Sequence, residues 1–332
     1  MTYSVRPRAG TMRAVTQSTY GGTDTLHVNE IPVPTPGPRE ALVRVRAVGI
    51  DRGTVHLMTG LPYAVRLGFG LRRPKAAVIG RDLAGVVEAV GDEVTSVAVG
   101  DEIIGSARGS LAQFAVVPES RLSPKPASLS FEEASVLPIS GSTALQAVRD
   151  AGRVEPGNRV LVIGASGGVG SFAVQIAAAH GAEVIGVASA AKADLVRALG
   201  ANRVIDYTRE DIDVHGPYDV IIDLAGLRTI ARLRRSLTAN GTLVIAGGEG
   251  GDRWLGGAHR QIGAAALSPF VRHRITALIS KERAADFAEL ASLVEAGSVR
   301  PALDRVYSLD RTADAVADLA AGKVRGKTAV RL

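Results

Sequence analysis

The sequence predicts an α/β protein of two domains, an irregular β domain joined to a doubly wound parallel sheet. Three observations predict it. Through the first third, short β-rich stretches are separated by Gly, Asp and Pro. From Asn158 onward, short apolar runs alternate with amphipathic helical stretches, the pattern of a parallel sheet wrapped by helices. The chain also has 332 residues and 46% hydrophobic content, enough for two sizeable cores.

In the first domain, Arg39 to Val48 alternates, with Val43, Val45 and Ala47 on one face and Arg44 and Arg46 on the other, the period of a half-buried strand. Val86 to Val90, Glu102 to Gly105 and Phe114 to Val117 follow as further short strands. The character changes near Pro138. The second domain's strands are expected at Arg159 to Gly164, Glu183 to Ala188, Arg203 to Ile205, Asp219 to Leu224, Thr242 to Ala246 and Ile275 to Ser280. Between the first two, Val169, Phe172, Ala173, Ile176 and Ala177 recur at helical spacing. After Glu282 the pattern gives a helix over Ala284 to Ala296, an extended stretch over Val299 to Tyr307, a helix through Leu319 and a strand over Thr328 to Leu332. With no linker before it, this tail is expected to fold back onto the first domain.

Composition narrows the function. There is no cysteine, which removes disulfides, thiolate metal ligands and cysteine nucleophiles. The net charge of +6 permits a nucleic-acid role, but acidic residues are interspersed, aromatics make up 4%, and no helix-turn-helix or zinc-finger pattern occurs. No nucleic-acid partner is expected. No apolar run has membrane-spanning length, and Met1 to Gly10 lacks the apolar stretch of a signal peptide, so the expectation is a cytoplasmic chain with no membrane partner.

The segment Val160 to Gly170 reads as a buried strand, a glycine-dense turn and a helix start. Gly167 allows close approach of a pyrophosphate, and Gly170 lets the helix lie against the strand. Ala165 stands at the first glycine of the usual fingerprint, with Ser166, Gly168 and Val169 completing the turn. In an isolated turn this would be weak evidence; as the first unit of a repeating βα pattern it points to a dinucleotide. NAD enzymes commonly end the second strand with an acid for the ribose hydroxyls. Here that strand runs into Ser189, Ala190, Ala191 and Lys192, with Tyr207 after the third strand. The missing acid favours NADPH over NADH, and Lys192 is either its phosphate partner or an exposed helix-start lysine.

In this order, the motifs Ile79 to Gly91, Val97 to Glu102, Gly141 to Ala144, Gly164 to Gly170, Gly200-Ala201 before Val204 to Tyr207, and Gly326-Lys327 make the chain resemble the medium-chain dehydrogenase/reductase superfamily. The resemblance is to its zinc-free quinone oxidoreductase branch. It implies a GroES-like irregular β-barrel domain over 1–138, completed by 283–332, and a Rossmann-type domain over 139–282, with the active site between them. It also implies that Thr143 contacts the nicotinamide, that Ala225, Gly247 and Gly248 flank ribose and ring, and that Lys327 belongs to the cofactor site. Zinc-containing relatives hold the metal near Asp51, after Gly80 and near Ile139. Asp51, Arg81 and Ile139 make a poor zinc set, so no metal is expected.

Three residues are candidates for polar work at the reacting centre. By resemblance Tyr63 lies over the nicotinamide, either as a phenolic donor or as a pocket-lining ring. His56 is either a second donor or a packed histidine with its nitrogens satisfied by backbone. Asp51 replaces the branch's usual asparagine, and Thr54 its aspartate. Asp51 has three readings: a hydrogen-bond acceptor for ribose or carboxamide, a structural partner of Arg52 or Arg81, or a general base. Trp254 lies in the glycine-rich stretch Gly248 to Gly257, either a mobile loop over substrate or a surface turn at a subunit contact. The expected activity is NADPH-dependent reduction of a small quinone or α,β-unsaturated carbonyl by a homodimer. A zinc-free alcohol dehydrogenase or ketone reductase, and a non-catalytic dinucleotide sensor, are the alternatives.

Overall fold

The computed structural model describes residues 10–248 and 251–332. Met1 to Ala9, and Glu249 and Gly250 of the glycine-rich stretch, lie outside them.

The first domain is built on strand β3. Two strands precede it, β1 (Thr11–Thr16) and β2 (His27–Pro32), an antiparallel pair that no clean alternation marks in the sequence. β3 (Glu40–Ile50) buries Val43, Val45 and Ala47 and exposes Arg44 and Arg46, as its alternation requires. It pairs antiparallel with β4 (Asp82–Val90) and, over its first half, with β6 (Phe114–Pro118). β5 (Glu102–Ser106) joins β4 to the short β7 (Leu122–Pro124). β4 starts at Asp82, before the stretch that the pattern marks, because Asp82 to Gly85 are all buried and a strand covered on both faces does not alternate. Val43, Leu83, Ile103, Val117 and Val330 belong to its core.

The second domain is one parallel sheet of β8 (Arg159–Ile163), β9 (Glu183–Ala188), β10 (Arg203–Asp206), β11 (Tyr218–Asp223), β12 (Leu237–Ile245) and β13 (Arg274–Ala277). Its order is β10-β9-β8-β11-β12-β13, so the direction of winding reverses between β8 and β11. A crevice opens at that point at the carboxyl ends of the strands, where ligands bind in sheets of this kind. β12 begins five residues before the expected Thr242. A register shift between Tyr218 and Val220 absorbs the extra residues, among them Asn240-Gly241, which reads as a turn in sequence.

The tail returns to the first domain. β14 (Leu303–Ser308) lies parallel to β15 (Lys327–Arg331), which pairs antiparallel with β3 from Thr328 opposite Ile50 to Arg331 opposite Ala47. The GroES-like domain therefore combines early and late strands of the described residues, β3 and β15, and the parallel sheet is an insertion within it. No helix among the described residues is long and apolar enough to cross a membrane.

Candidate active site

The glycine turn follows β8 directly. Gly164 adopts a left-handed φ of 85°, Gly167 is the N-cap of the Gly168–Ala179 helix, and no side chain caps that helix start. Its first N–H groups and the positive end of its dipole are therefore left for a ligand. The two key glycines differ in kind. A Cβ on Gly170 would stand 2.1 Å from the Gly164 carbonyl, so its absence is a packing requirement. A Cβ on Gly167 would meet only that same oxygen within 4 Å, at 3.3 Å, and otherwise open space. That open face fits a pyrophosphate approaching the backbone.

One cleft gathers most of the residues expected around the cofactor. Ser166, Gly167, Gly168, Val169 and Gly170 of the turn line it, with Thr143, Lys192, Gly247 and Gly248. The Thr143 hydroxyl lies 2.7 Å from the Ile139 carbonyl and 2.9 Å from the Ser280 hydroxyl, which holds it to the segment following β13. Gly247 is packed so closely that a Cβ would lie 1.8 Å from the Leu224 carbonyl. Ala165 is fully buried beneath the turn, and Ala225 packs on the core beside Gly164, so both support the cleft from behind.

The residues expected around a 2′-phosphate lie at different depths. Lys192 reaches the cleft, where its ammonium donates to the carbonyls of Gly322 at 2.9 Å and Val324 at 2.7 Å. Burial lowers its pKa from the ordinary lysine value, with Asp304 opposing. Ser189 is half-buried at the end of β9, and Tyr207 is exposed beyond β10. The sequence reading passed over Asp206, whose carboxylate accepts from the backbone N–H of Thr208 at 3.0 Å and its hydroxyl at 2.8 Å. The backbone N–H groups of Thr208 and Ala190 hold it below its ordinary pKa, so a charged carboxylate stands beside the end of β9 after all.

Lys327 lies behind the turn. It is 1% exposed, and its ammonium donates to the Ser140 hydroxyl at 2.9 Å and lies 3.5 Å from Asp82. Asp82 in turn accepts from the Ile139 N–H at 2.7 Å. Burial pushes Asp82 up to about 7, with Lys327 opposing and Asp51 adding to the rise. This buried group ties β4, β15 and the helix Pro138–Leu145 together beneath the cleft.

The three polar candidates separate. His56 lines the cleft, and its Nδ1 lies 2.7 Å from the Leu61 carbonyl, which assigns the proton to Nδ1 and orients the ring. Asp51 caps the helix Arg52–Thr59, its Oδ1 accepting from the Thr54 backbone N–H at 2.8 Å and hydroxyl at 3.1 Å. Tyr63 belongs to a bridge between the domains. Its N–H donates to the Arg253 carbonyl at 2.7 Å, the Ala64 N–H donates to the Trp254 carbonyl at 2.9 Å, and its ring meets Trp254 edge-on at 5.2 Å. The Arg66 guanidinium covers the Tyr63 ring at 4.7 Å. The Trp254 stretch thus bonds to the 62–65 loop across the domain boundary.

Several cleft residues were not anticipated from sequence: Arg52, Leu224, Ala246, and Leu319, Gly322, Val324 and Gly326 from the tail. The N–H of Gly326 donates to the Ser166 carbonyl at 3.0 Å, fastening the tail to the phosphate turn. Only the Gly326-Lys327 motif signalled this; Arg52 carries no local pattern.

Fold, switch-point cleft and uncapped glycine turn define the architecture of a two-domain protein with a candidate dinucleotide cleft. Residues 37–127 match the family described as alcohol dehydrogenase GroES-like domain, and residues 199–330 match that described as zinc-binding dehydrogenase. The chain is 31% identical to human NAD(P)H oxidoreductase RTN4IP1, mitochondrial, over 98% of its own length and 90% of that protein. It is 31% identical to a quinone oxidoreductase of Pseudomonas aeruginosa, over 93% and 96%. The solved quinone oxidoreductase of Coxiella burnetii superposes with a TM-score of 0.85 at 25% identity, covering 97% of this chain and all of that one. The chain belongs to the medium-chain dehydrogenase/reductase superfamily, in its quinone oxidoreductase and RTN4IP1-like branch.

The zinc named by one matching family does not suit the residues present. Of the three positions expected for its ligands, Asp51 is a helix cap and Ile139 is apolar. Arg81 is a cation, paired with Glu282. Among the described residues no group of three His, Asp or Glu side chains is placed to hold a metal ion.

Proposed function

We propose that this chain is a zinc-independent, NADPH-dependent reductase of a quinone or an α,β-unsaturated carbonyl. The observation that carries this is the switch-point cleft, in which an uncapped helix start meets Thr143 and His56 with no metal-ligand set beside them among the described residues. The glycine turn and Lys192 would hold the dinucleotide phosphates, while Thr143, Gly247 and Gly248 would flank the nicotinamide end. Bound there, the dinucleotide supplies a hydride to the electron-poor carbon of the acceptor.

The protein's own work is positioning and proton supply. Without a Lewis acid, the developing oxyanion needs a hydrogen-bond donor, which suits conjugated acceptors better than unactivated alcohols. His56 is the one of the three polar candidates that lines the cleft; with its Nδ1–H held by the Leu61 carbonyl, its imidazolium form would give the Nε2 proton to the reduced acceptor and take one back from solvent. Tyr63 and Asp51 hold the loop and the helix that present it. In this reading Lys192 favours NADPH over NADH, despite the charge of Asp206.

NADPH oxidation over a panel of quinones and enones, with products identified by mass, tests the reading. Consumption of NADPH matched by hydroquinone or saturated ketone is the expected result. Tight cofactor binding with no acceptor reduced would sink it and favour a dinucleotide sensor. Reduction of simple ketones, lost in Asp51→Asn, would favour the ketone reductase alternative.

A further inference from the structure

A second cavity borders the same helix, Arg52–Thr59. His56 of this helix lines the cofactor cleft, and the next residue, Leu57, lines the second cavity. The two spaces also approach each other through the segment after β13. Ser280 there bonds Thr143 of the cofactor cleft, and Glu282, two residues on, pairs with Arg81 of the second cavity.

The walls of this cavity combine apolar surface with an excess of cations. Leu57, Phe69 and Ile79 supply the apolar part, and Lys75, Arg81, Arg108 and Arg121 the charge, with no carboxylate lining it among the described residues. Arg81 and Arg121 both lean on the one carboxylate of Glu282, which also accepts from Ser106 at 2.8 Å. A solvated cationic surface would not need apolar walls or part-buried guanidinium groups; the Arg81 side chain is only 30% exposed. Burial drives Arg81 below its ordinary pKa, Asp51 and Asp82 oppose that, and Arg121 and Arg108 add to it, so the guanidinium groups are close enough to repel. An independent sign of a ligand is Gln17, which lines the cavity at 3% exposure. Its Nε2 donates to the Leu57 carbonyl at 3.1 Å, while its Oε1 is buried without a hydrogen-bond partner. A buried amide oxygen left in this way is destabilising unless a ligand or water donates to it.

We infer that the physiological acceptor carries an oxyanion, a carboxylate or a phosphate, which the Arg81, Arg108 and Arg121 guanidinium groups bind while its conjugated carbonyl reaches the nicotinamide end of the adjoining cleft. This rests on the reductase reading for the reaction, though not for the binding. Planar guanidinium forks match such oxyanions bidentately, and the apolar wall suits the carbon chain between the two ends. Gln17 would accept from an O–H or N–H on that chain.

The test compares a medium-chain enone whose far end is a carboxylate separated from the conjugated carbonyl by methylenes, its methyl ester, and an enone of similar length ending in a phosphate monoester, each with NADPH. The expected result is a kcat/KM for at least one anionic acceptor roughly tenfold or more above the ester. Arg108→Ala, a change at an exposed residue, should reduce that ratio by roughly tenfold, and added salt should erode it. Equal rates for ester and anions, or a ratio that Arg108→Ala leaves unaltered, would overturn the inference while leaving the reductase reading intact. Calorimetry with the saturated ketone bearing the same remote carboxylate, and with its ester, separates the two ideas. Tighter binding of the acid, weakened in Arg108→Ala, supports the anion site even if no acceptor is turned over, and equal binding refutes it.

Discussion

Asp51 shows how a residue's neighbours decide its role. In sequence it stood where relatives carry asparagine and invited a catalytic reading, yet its Oδ1 is given to Thr54 at the start of a helix. Asp-x-x-Thr before a helical stretch is a capping pattern, and it was legible in principle once the helix was recognised. Asp51→Ala should therefore lower stability by about 1 kcal/mol and Asp51→Asn by much less, read from urea midpoints. Asp82 gives a pH signature. Folded, burial keeps its proton on up to about pH 7; unfolded, it releases it near the ordinary aspartate value of 3.8. Between those values the folded chain binds more protons, so this group makes stability fall as pH rises, with no further fall above about 7. Unfolding midpoints of Asp82→Asn measured from pH 4 to 8 should lack that component of the slope; identical slopes in both proteins would refute it. For Lys192, replacement by Ala should lower the NADPH-to-NADH ratio of kcat/KM by roughly tenfold, the loss of one charge-assisted contact. A ratio that does not move would assign Lys192 to its two carbonyl partners alone.

Elements with strong periodicity were the most legible. Arg159–Ile163, Glu183–Ala188 and the helix Ala284–Glu295 fall within a residue or two of their expected limits, because each is an apolar run or stripe bounded by polar or turn residues. Elements without periodicity were lost: β1, β2 and the three-residue β7 carry mixed patterns that only tertiary pairing makes into strands. The contact of Tyr63 and Ala64 with Arg253 and Trp254 was also invisible, since backbone bonds between distant loops leave no spacing rule. The glycine turn yields a prediction at this scale. Gly167→Ala should leave thermal stability of the free protein nearly unchanged while weakening NADPH at least tenfold. Gly170→Ala, whose Cβ would meet backbone at 2.1 Å, should cost about 1–3 kcal/mol of stability as well. Thermal unfolding with and without NADPH separates the two.

For the whole molecule, the chain's path brings the active site together. β3 and β15 pair in one domain, the parallel sheet is inserted between them, and the tail's Gly326 bonds the glycine turn, so the proposed cofactor cleft and the docking of the domains share residues. β13 closes one edge of the parallel sheet, and Ile262, Phe270 and Ile279 nearby are exposed at 62%, 84% and 77%. A homodimer through this edge is the expected state, and light scattering coupled to size exclusion should give twice the chain mass. The two-domain fold class and the strand-turn-helix that lines the candidate cleft were legible because they follow from chain-wide alternation of strand and helix. The cationic second cavity was not, because Lys75, Arg81, Arg108 and Arg121 come from separate segments that only the fold assembles. The central claim is hydride transfer to a conjugated acceptor, and isotope transfer tests it most directly. With NADPH carrying deuterium at either face of C4, and the protein stripped of metal by chelation, one of the two labelled cofactors should place a single deuterium on the β-carbon of the reduced enone. Product without deuterium from both, or turnover that returns only when zinc is added, would contradict the account.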